Sequence, residues 1–332
     1  MPHTDQDSAQ RRLFAYINET FDKKYNIAQV LQDLLKVSAD SAYRRIRSET
    51  PLSFDEFALI CQEWHLPFEM FINAKSRGIV FEKFEHGSVD TAISSHINSI
   101  VDFAKSLTER PGTMLYEINE ELNILRIFNS ELFSAFKIFV WNKSFLNNAR
   151  LEGKSFDMAF VAEVKEQLQQ SALMNGFYQH TDSTEILFDE ILDVYLKQLL
   201  YYHECGFIDS PATSLTLLNE LRQVLEQLQE DVNRGHKTRS GEGQLIAYYS
   251  EIPLLNSVFL VKSHDGLRMF QGLQTLDYLT TTNEAYCKEV LERIENCFKR
   301  CIRLDGAAEK VRHQYFAGLF ARLDKAEEQL SK

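Results

Sequence analysis

Three helix-opening signals, at Asn26, Ser38 and Ser53, crowd one stretch near the amino terminus and leave no room for a long helix between them. Asn26 with Gln29, and Ser53 with Glu56, have the spacing at which an N-cap side chain and the third helical residue satisfy each other's backbone N–H groups. Ser38 is a good N-cap for a helix from Ala39 to about Ser48. Pro51 cannot continue that helix, and Pro67 suits the first turn of a later one ending near Ile72. Ahead of these, Gln10 to Lys23 carries Phe14, Ile17 and Phe21 on one stripe. Val30, Leu31, Leu34 and Leu35 mark the second helix, and Phe54, Phe57, Ala58 and Ile60 the fourth. Helices this short are marginal alone, so five of them between Gln10 and Ile72 predict a compact bundle.

The third helix is two-faced. At 100° per residue Ala39, Ala42, Tyr43 and Ile46 share one side. Ser41, Arg44 and Ser48 lie opposite, flanked by Asp40, Arg45 and Arg47. Short hydroxyls and guanidinium groups are what a helix in a major groove needs: Arg bonds guanine O6 and N7 together, Ser bonds base edges or phosphate, and free N–H groups at the helix start favour phosphate. A merely solvated basic face is the plain alternative for the arginines alone. The short preceding helix, the three-residue turn Lys36-Val37-Ser38 and the Pro-punctuated helices that follow favour the groove.

Residues 27–71 resemble the lambda-repressor/Cro-like (XRE-type) helix-turn-helix family. The resemblance is carried by Val37-Ser38 at the turn, Tyr43-Arg44-Arg45-Ile46-Arg47 on the recognition helix and Pro51-Leu52-Ser53 opening the next helix. It implies a five-helix domain that binds operator DNA, usually as a dimer. Gln32 stands where the family usually has Ala, and Lys36 where its turn usually has Gly. Lys36 is therefore expected in a left-handed conformation, at a cost of about 1–2 kcal/mol.

A net charge of −12 looks adverse to a DNA binder, but its distribution is not. Residues 1–80 hold ten Lys/Arg against eleven Asp/Glu, which leaves −11 on the remainder. Lys36, Arg44, Arg45 and Arg47 form a local basic cluster on a nearly neutral domain, and the acidic body limits non-specific adhesion. Apolar residues at 44% and charged residues at 25% exclude a disordered chain. The start, MPHTDQDSAQRRLF, lacks a signal-peptide core, and no apolar run is membrane-length; Leu132–Val140 comes nearest and contains Lys137. The expectation is a cytoplasmic protein with reduced thiols.

The chain divides as a helix-turn-helix domain at 1–75, a linker at 76–90 and a C-terminal domain at 91–332 for dimerisation and effector binding. In that domain helices are read at 92–107, 186–202, 214–232, 283–304 and 307–330. Leu218, Leu221, Leu225, Leu228 and Val232 make a stripe about two heptads long. It fits a core helix better than a self-pairing one. Met114–Ile118 and Ile124–Phe128 are expected to pair across Asn119–Asn123; Leu245–Tyr249, Ser257–Val261 and Leu267–Phe270 form a second set, with Asp265-Gly266 as a hairpin turn. The fold class is thus mainly α: a five-helix lambda-repressor-like bundle plus a larger, helix-dominated α+β domain with a small antiparallel sheet. Stretches 135–145, 250–261 and 276–287 are similar to segments of the long domain that follows the helix-turn-helix in one group of bacterial regulators; no ligand or activity comes with that likeness.

Other chemistry is weakly signalled. Cys297 and Cys301 lie one turn apart with Cys287 upstream, but no CxxC occurs and buried Cys is usually inert. His180, His203 and His264 are scattered singly. Gly241-Glu-Gly243 sits in a basic loop that reads as a solvated connection, and Asp5-Gln-Asp7 as tail. The abundant aromatics fit a core before a pocket. No metal, cofactor or catalytic residue is expected, and an enzyme reading would need a deep polar pocket with convergent titratable groups. The reading is a sequence-specific transcription regulator, a cytoplasmic homodimer contacting double-stranded DNA through Ser38, Asp40, Ser41, Arg44, Arg45, Arg47 and Ser48, with a small-molecule or peptide effector. The alternative is a protein-docking module built on the same fold.

Overall fold

The computed structural model describes residues 8–21, 26–72, 78–83, 89–108, 112–252, 257–272, 278–305 and 308–332. The chain forms two compact units, 1–80 and 81–332, so the second unit begins inside the stretch read as a linker.

In unit 1, α1 (Ala9–Thr20), α2 (Ile27–Leu35), α3 (Ala39–Ile46) and α4 (Phe54–Glu63) follow the expected caps. Asn26 accepts from the Gln29 amide, Ser38 from that of Ser41, and Ser53 and Glu56 complete a reciprocal capping box. The expected fifth helix is a single 3₁₀ turn, Phe68–Met70, with Pro67 as its cap. Leu13, Phe14, Ile17, Leu31, Ala42, Ile60 and Phe71 form the core. Lys36 ends α2 at φ 53°, the left-handed conformation that Gly would occupy freely. Gln32 does not wedge α2 from its neighbour; its amide folds back to the Ala28 carbonyl at 3.2 Å.

Unit 2 runs β1 (Glu82–Lys83), α5 (Val89–Thr108), β2 (Met114–Ile118), α6 (Ile124–Ile127), α7 (Glu131–Val140), α8 (Met158–Glu163), α9 (Lys165–His180), β3 (Asp182–Leu187), α10 (Asp193–Glu204), α11 (Pro211–Arg234), β4 (Leu245–Tyr249), β5 (Val258–Ser263), β6 (Gly266–Gly272), β7 (Tyr278–Thr281), α12 (Glu284–Phe298), β8 (Ile302–Arg303) and α13 (Glu309–Leu330). The strands form one sheet in the order β1-β7-β6-β5-β2-β3-β4-β8. It is mixed, which corrects the antiparallel expectation: β2, β3 and β4 are mutually parallel. Parallel neighbours need long crossovers, and α6–α9 and then α10–α11 supply them.

The expected hairpin of 114–118 with 124–128 does not form. Asn123 caps the Leu125 amide and turns the second segment into α6. The strand at 114–118 pairs instead with β3 and β5. The segment 186–202 divides between the end of β3 and α10, and 283–304 between α12 and β8. The Asp265-Gly266 hairpin is present, with Ser263 opposite Gly266.

The leucine stripe of α11 is buried within the chain, with Leu221, Leu225 and Leu228 all at 0% exposure. It is therefore a core seam and is not available for self-pairing. Phe133, Phe136, Phe139, Phe156, Phe160 and Tyr202 interlock edge-to-face in the same core. Among the described residues no helix is long and apolar enough to cross a membrane.

Two substitutions test this backbone reading. Lys36→Gly should raise the stability of unit 1 by about 1 kcal/mol by relieving the left-handed strain. Its reporter is the unfolding of buried Trp64 in a Trp141→Phe background. Gly243 has φ 62°, and an added Cβ would lie 1.9 Å from the Gln179 carbonyl oxygen. Gly243→Ala should destabilise unit 2 by about 3 kcal/mol, followed through Trp141.

Candidate nucleic-acid interface

Helix α3 is held by its neighbours on both sides. Gln10 of α1 donates to the carbonyls of Arg45 (2.7 Å) and Thr50 (2.9 Å) and accepts from the Leu52 amide at 2.9 Å. One amide side chain thus fixes the exit of α3 and the turn into α4. Arg45 reaches across that turn to Glu56 on α4 at 2.7 Å, both side chains largely buried, and it also donates to the Ser41 hydroxyl. Burial raises the Glu56 carboxyl pKa. The Arg45 guanidinium and the Ser53 backbone amide outweigh this and hold it below its ordinary value of 4.5.

The seven expected contact residues therefore divide. Asp40, Arg44 and Arg47 are exposed. Arg44 makes no side-chain hydrogen bond or ion pair with the described residues. Arg47 pairs at the surface with Glu49 (2.8 Å), a contact worth little in water and easily exchanged for phosphate. Ser38 is exposed, with its Oγ on the Ser41 amide. Ser41 is half-buried against Arg45. Arg45 faces Glu56 rather than solvent. Ser48, at φ 58°, turns the chain out of α3 with its hydroxyl buried.

The apolar side of α3 also differs from expectation. Ala42 is fully buried, but Ala39 is exposed and Tyr43 is 49% exposed. Tyr43 and Ile46 border a cleft of about 300 Å³ with Asn18, Phe21, Asn26, Ile27 and Ala28. This makes Tyr43 an outward-facing polar aromatic beside the capped start of α2. Its phenol oxygen was the available signal: Tyr prefers one wet end.

The unassigned motifs resolve differently. Cys287, Cys297 and Cys301 are free thiols whose pKa values burial raises. Cys301 lies beyond the end of α12. His203 bonds Ser214 (3.0 Å), and His264 bonds Asp265 (3.1 Å). The loop around Gly241 is not simply solvated, because its Lys237 is 3% exposed. Asp5 and Asp7 lie outside the described residues. Arg126, Glu185, Asp231 and Tyr178 do converge in unit 2, but the cleft that Arg126, Tyr178 and Asp231 border with Asn175 and Gln227 measures about 10 Å³, room for about one water. Comparison with known protein families, with curated proteins and with solved structures finds no match.

The Arg45–Glu56 tie makes a pH prediction. A carboxyl whose folded pKa is lowered contributes stability above its unfolded value and loses it as pH falls through the folded one. Unit 1 should therefore lose stability below about pH 4.5 more steeply in wild type than in Glu56→Gln, measured by urea unfolding at Trp64.

Proposed function

We propose that unit 1 binds double-stranded DNA by sequence, as a helix-turn-helix domain of the lambda-repressor/Cro-like kind, and that the chain is a transcription regulator. The single observation that carries this is Arg44: a rigidly braced helix holds it exposed and without a protein partner among the described residues, while the arginine next to it is locked inward. α3 lies in the major groove. Arg44 bonds a guanine edge. Asp40, one turn earlier, rejects bases that present only acceptors and so contributes to selection. Arg47 leaves Glu49 for a phosphate, and Ser38 at the helix start meets another. Arg45 is a positioning residue that sets the angle of α3 through Glu56. The regulator acts as a homodimer in the cytoplasm, and unit 2 supplies dimerisation and the response to an effector.

Docking of another protein is the second reading, favoured by one observation: Phe54 at the start of α4 is 71% exposed, stacked edge-on to Phe68 at 5.4 Å. Salt separates the two, because release of counterions from several phosphates makes DNA affinity fall steeply with salt.

Duplexes captured from a random-sequence pool by the full chain provide the ligand. Arg44→Ala should weaken their binding by about 1–3 kcal/mol, roughly tenfold to a hundredfold, without shifting the Trp64 unfolding midpoint. Unchanged affinity at low and high salt would refute the assignment.

A further inference from the structure

The sheet of unit 2 buries charge at its centre. Glu117 of β2 and Glu185 of β3 stand opposite each other in register on neighbouring parallel strands, so their side chains leave the same face. Both are nearly inaccessible, at 3% and 2% exposure. Their donors are unequal. Glu185 accepts from the Tyr178 hydroxyl (2.5 Å) and the Ser183 hydroxyl (2.7 Å) and pairs with Arg126 at 3.4 Å. Among the described residues Glu117 receives only the Asn123 side-chain amide, at 2.5 Å. Arg126 also pairs with Asp231 of α11 (2.6 Å), which Arg234 meets from the rim (2.8 Å). Lys237 completes the cluster, 3.9 Å from the Tyr178 ring centre and donating to Ser183 at 3.0 Å. Tyr195 of α10 and Tyr278 of β7 lie within electrostatic reach of both Glu117 and Glu121.

With Glu185 and Asp231 as carboxylates and Arg126 and Lys237 as cations, the buried cluster is neutral when Glu117 keeps its proton, while burial lowers the Lys237 pKa to about 8 against the pull of Glu185 and Glu117. Burial and the facing Glu185 do lift the Glu117 pKa to about 8, whereas Arg126, Lys237 and the two hydroxyl donors hold Glu185 below the ordinary carboxylate value against its own burial. Two facing carboxylates in one dry site ionise together only at high cost.

We propose that Glu117 and Glu185 hold one proton between them, and that this proton latches the 236–243 loop onto the sheet, making unit 2 a proton-responsive switch. Lys237 belongs to that loop. The loop is closed by Lys237 N–H to the Gly243 carbonyl (2.9 Å) and Thr238 N–H to that of Glu242 (3.3 Å). Gly243 abuts the Gln179 carbonyl so closely that no Cβ fits, so the loop cannot slide inward. When Glu117 releases its proton to solvent, the new carboxylate draws Lys237 along the sheet and away from Ser183. The backbone cannot follow, and water enters while the loop lifts. The cleft beside Arg126 and Tyr178 already has room for the first water. No other bond changes.

The sign follows from linkage. A raised folded pKa means that the closed state is favoured at low pH and loses that advantage as pH rises towards the folded value. The inference rests on unit 2 alone and is independent of the DNA-binding reading.

The test uses the full chain between about pH 6 and 9, a range that starts well above an ordinary carboxyl pKa. Hydrogen exchange of peptides covering 236–244, corrected for intrinsic rates, should lose protection by up to about tenfold per pH unit. The infrared C=O stretch of a protonated carboxylic acid should fade over the same range. In Glu117→Gln the acid band should vanish from that range and the loop's loss of protection should become clearly shallower, what remains being due to Lys237. An acid band missing from wild type, or persisting in Glu117→Gln, overturns the proposal. So does loop exchange that follows the same pH course in both proteins. Lys237→Met gives a second readout: the acid band should remain while the loop exchanges fast at every pH, and a fully protected loop in that variant also overturns the latch.

Discussion

The geometry of unit 1 rests on one ion pair. Arg45 and Glu56 lie eleven residues apart, on either side of a proline turn, and their contact joins α3 to α4. Because both side chains are largely buried, the pair is shielded from the solvent and salt that weaken surface bridges. Gln10 adds three hydrogen bonds to the backbone of the same turn. The result is a short helix that does not depend on its own propensity. An eight-residue helix would fray alone; bound on two sides, it holds Arg44 in a fixed direction. A site built on a rigid element fixes its ligand more accurately than one on a loop.

Unit 2 applies the same physics in reverse. There the charged groups face inward, and each is compensated by another: Arg126 joins β3 to α11, and Lys237 brings a surface loop into the cluster. A buried charge network is costly unless every member is paired, so a network that is neutral only while it keeps one proton is sensitive to anything that removes that proton. Such a cluster stores a response, whereas an apolar core of the same volume would only store stability.

What the sequence made legible was local. The caps at Asn26, Ser38 and Ser53 obey rules that span three residues, and each is found in place. Lys36 was readable as left-handed because it ends α2 at the tight turn into α3, where the family that the segment resembles usually has Gly. The inward fate of Arg45 was not legible, since periodicity places it on the flank of α3 and only the position of Glu56 pulls it in. Tyr43 failed for a related reason: helical phase assigned it to the core, but it borders an open cleft beside the start of α2 and stays half exposed. In unit 2 the missed strand was β3, whose Ser183, Thr184 and Glu185 are polar yet buried. Hydropathy cannot mark a strand whose inner face is an ion network. Ile124–Phe128 erred the other way, a β-like composition overruled by the Asn123 cap. The mixed sheet depended on both, because without β3 no parallel partner for β2 was in view.

The account is tested most directly by asking what touches position 44. A photoreactive side chain placed there in the full-length chain, irradiated with duplexes that the chain itself selects from a random pool, should crosslink to a base, while the same group at position 54 should not. Crosslinking to DNA from position 54 alone, or to no nucleotide from position 44, would contradict the claim that α3 reads the duplex.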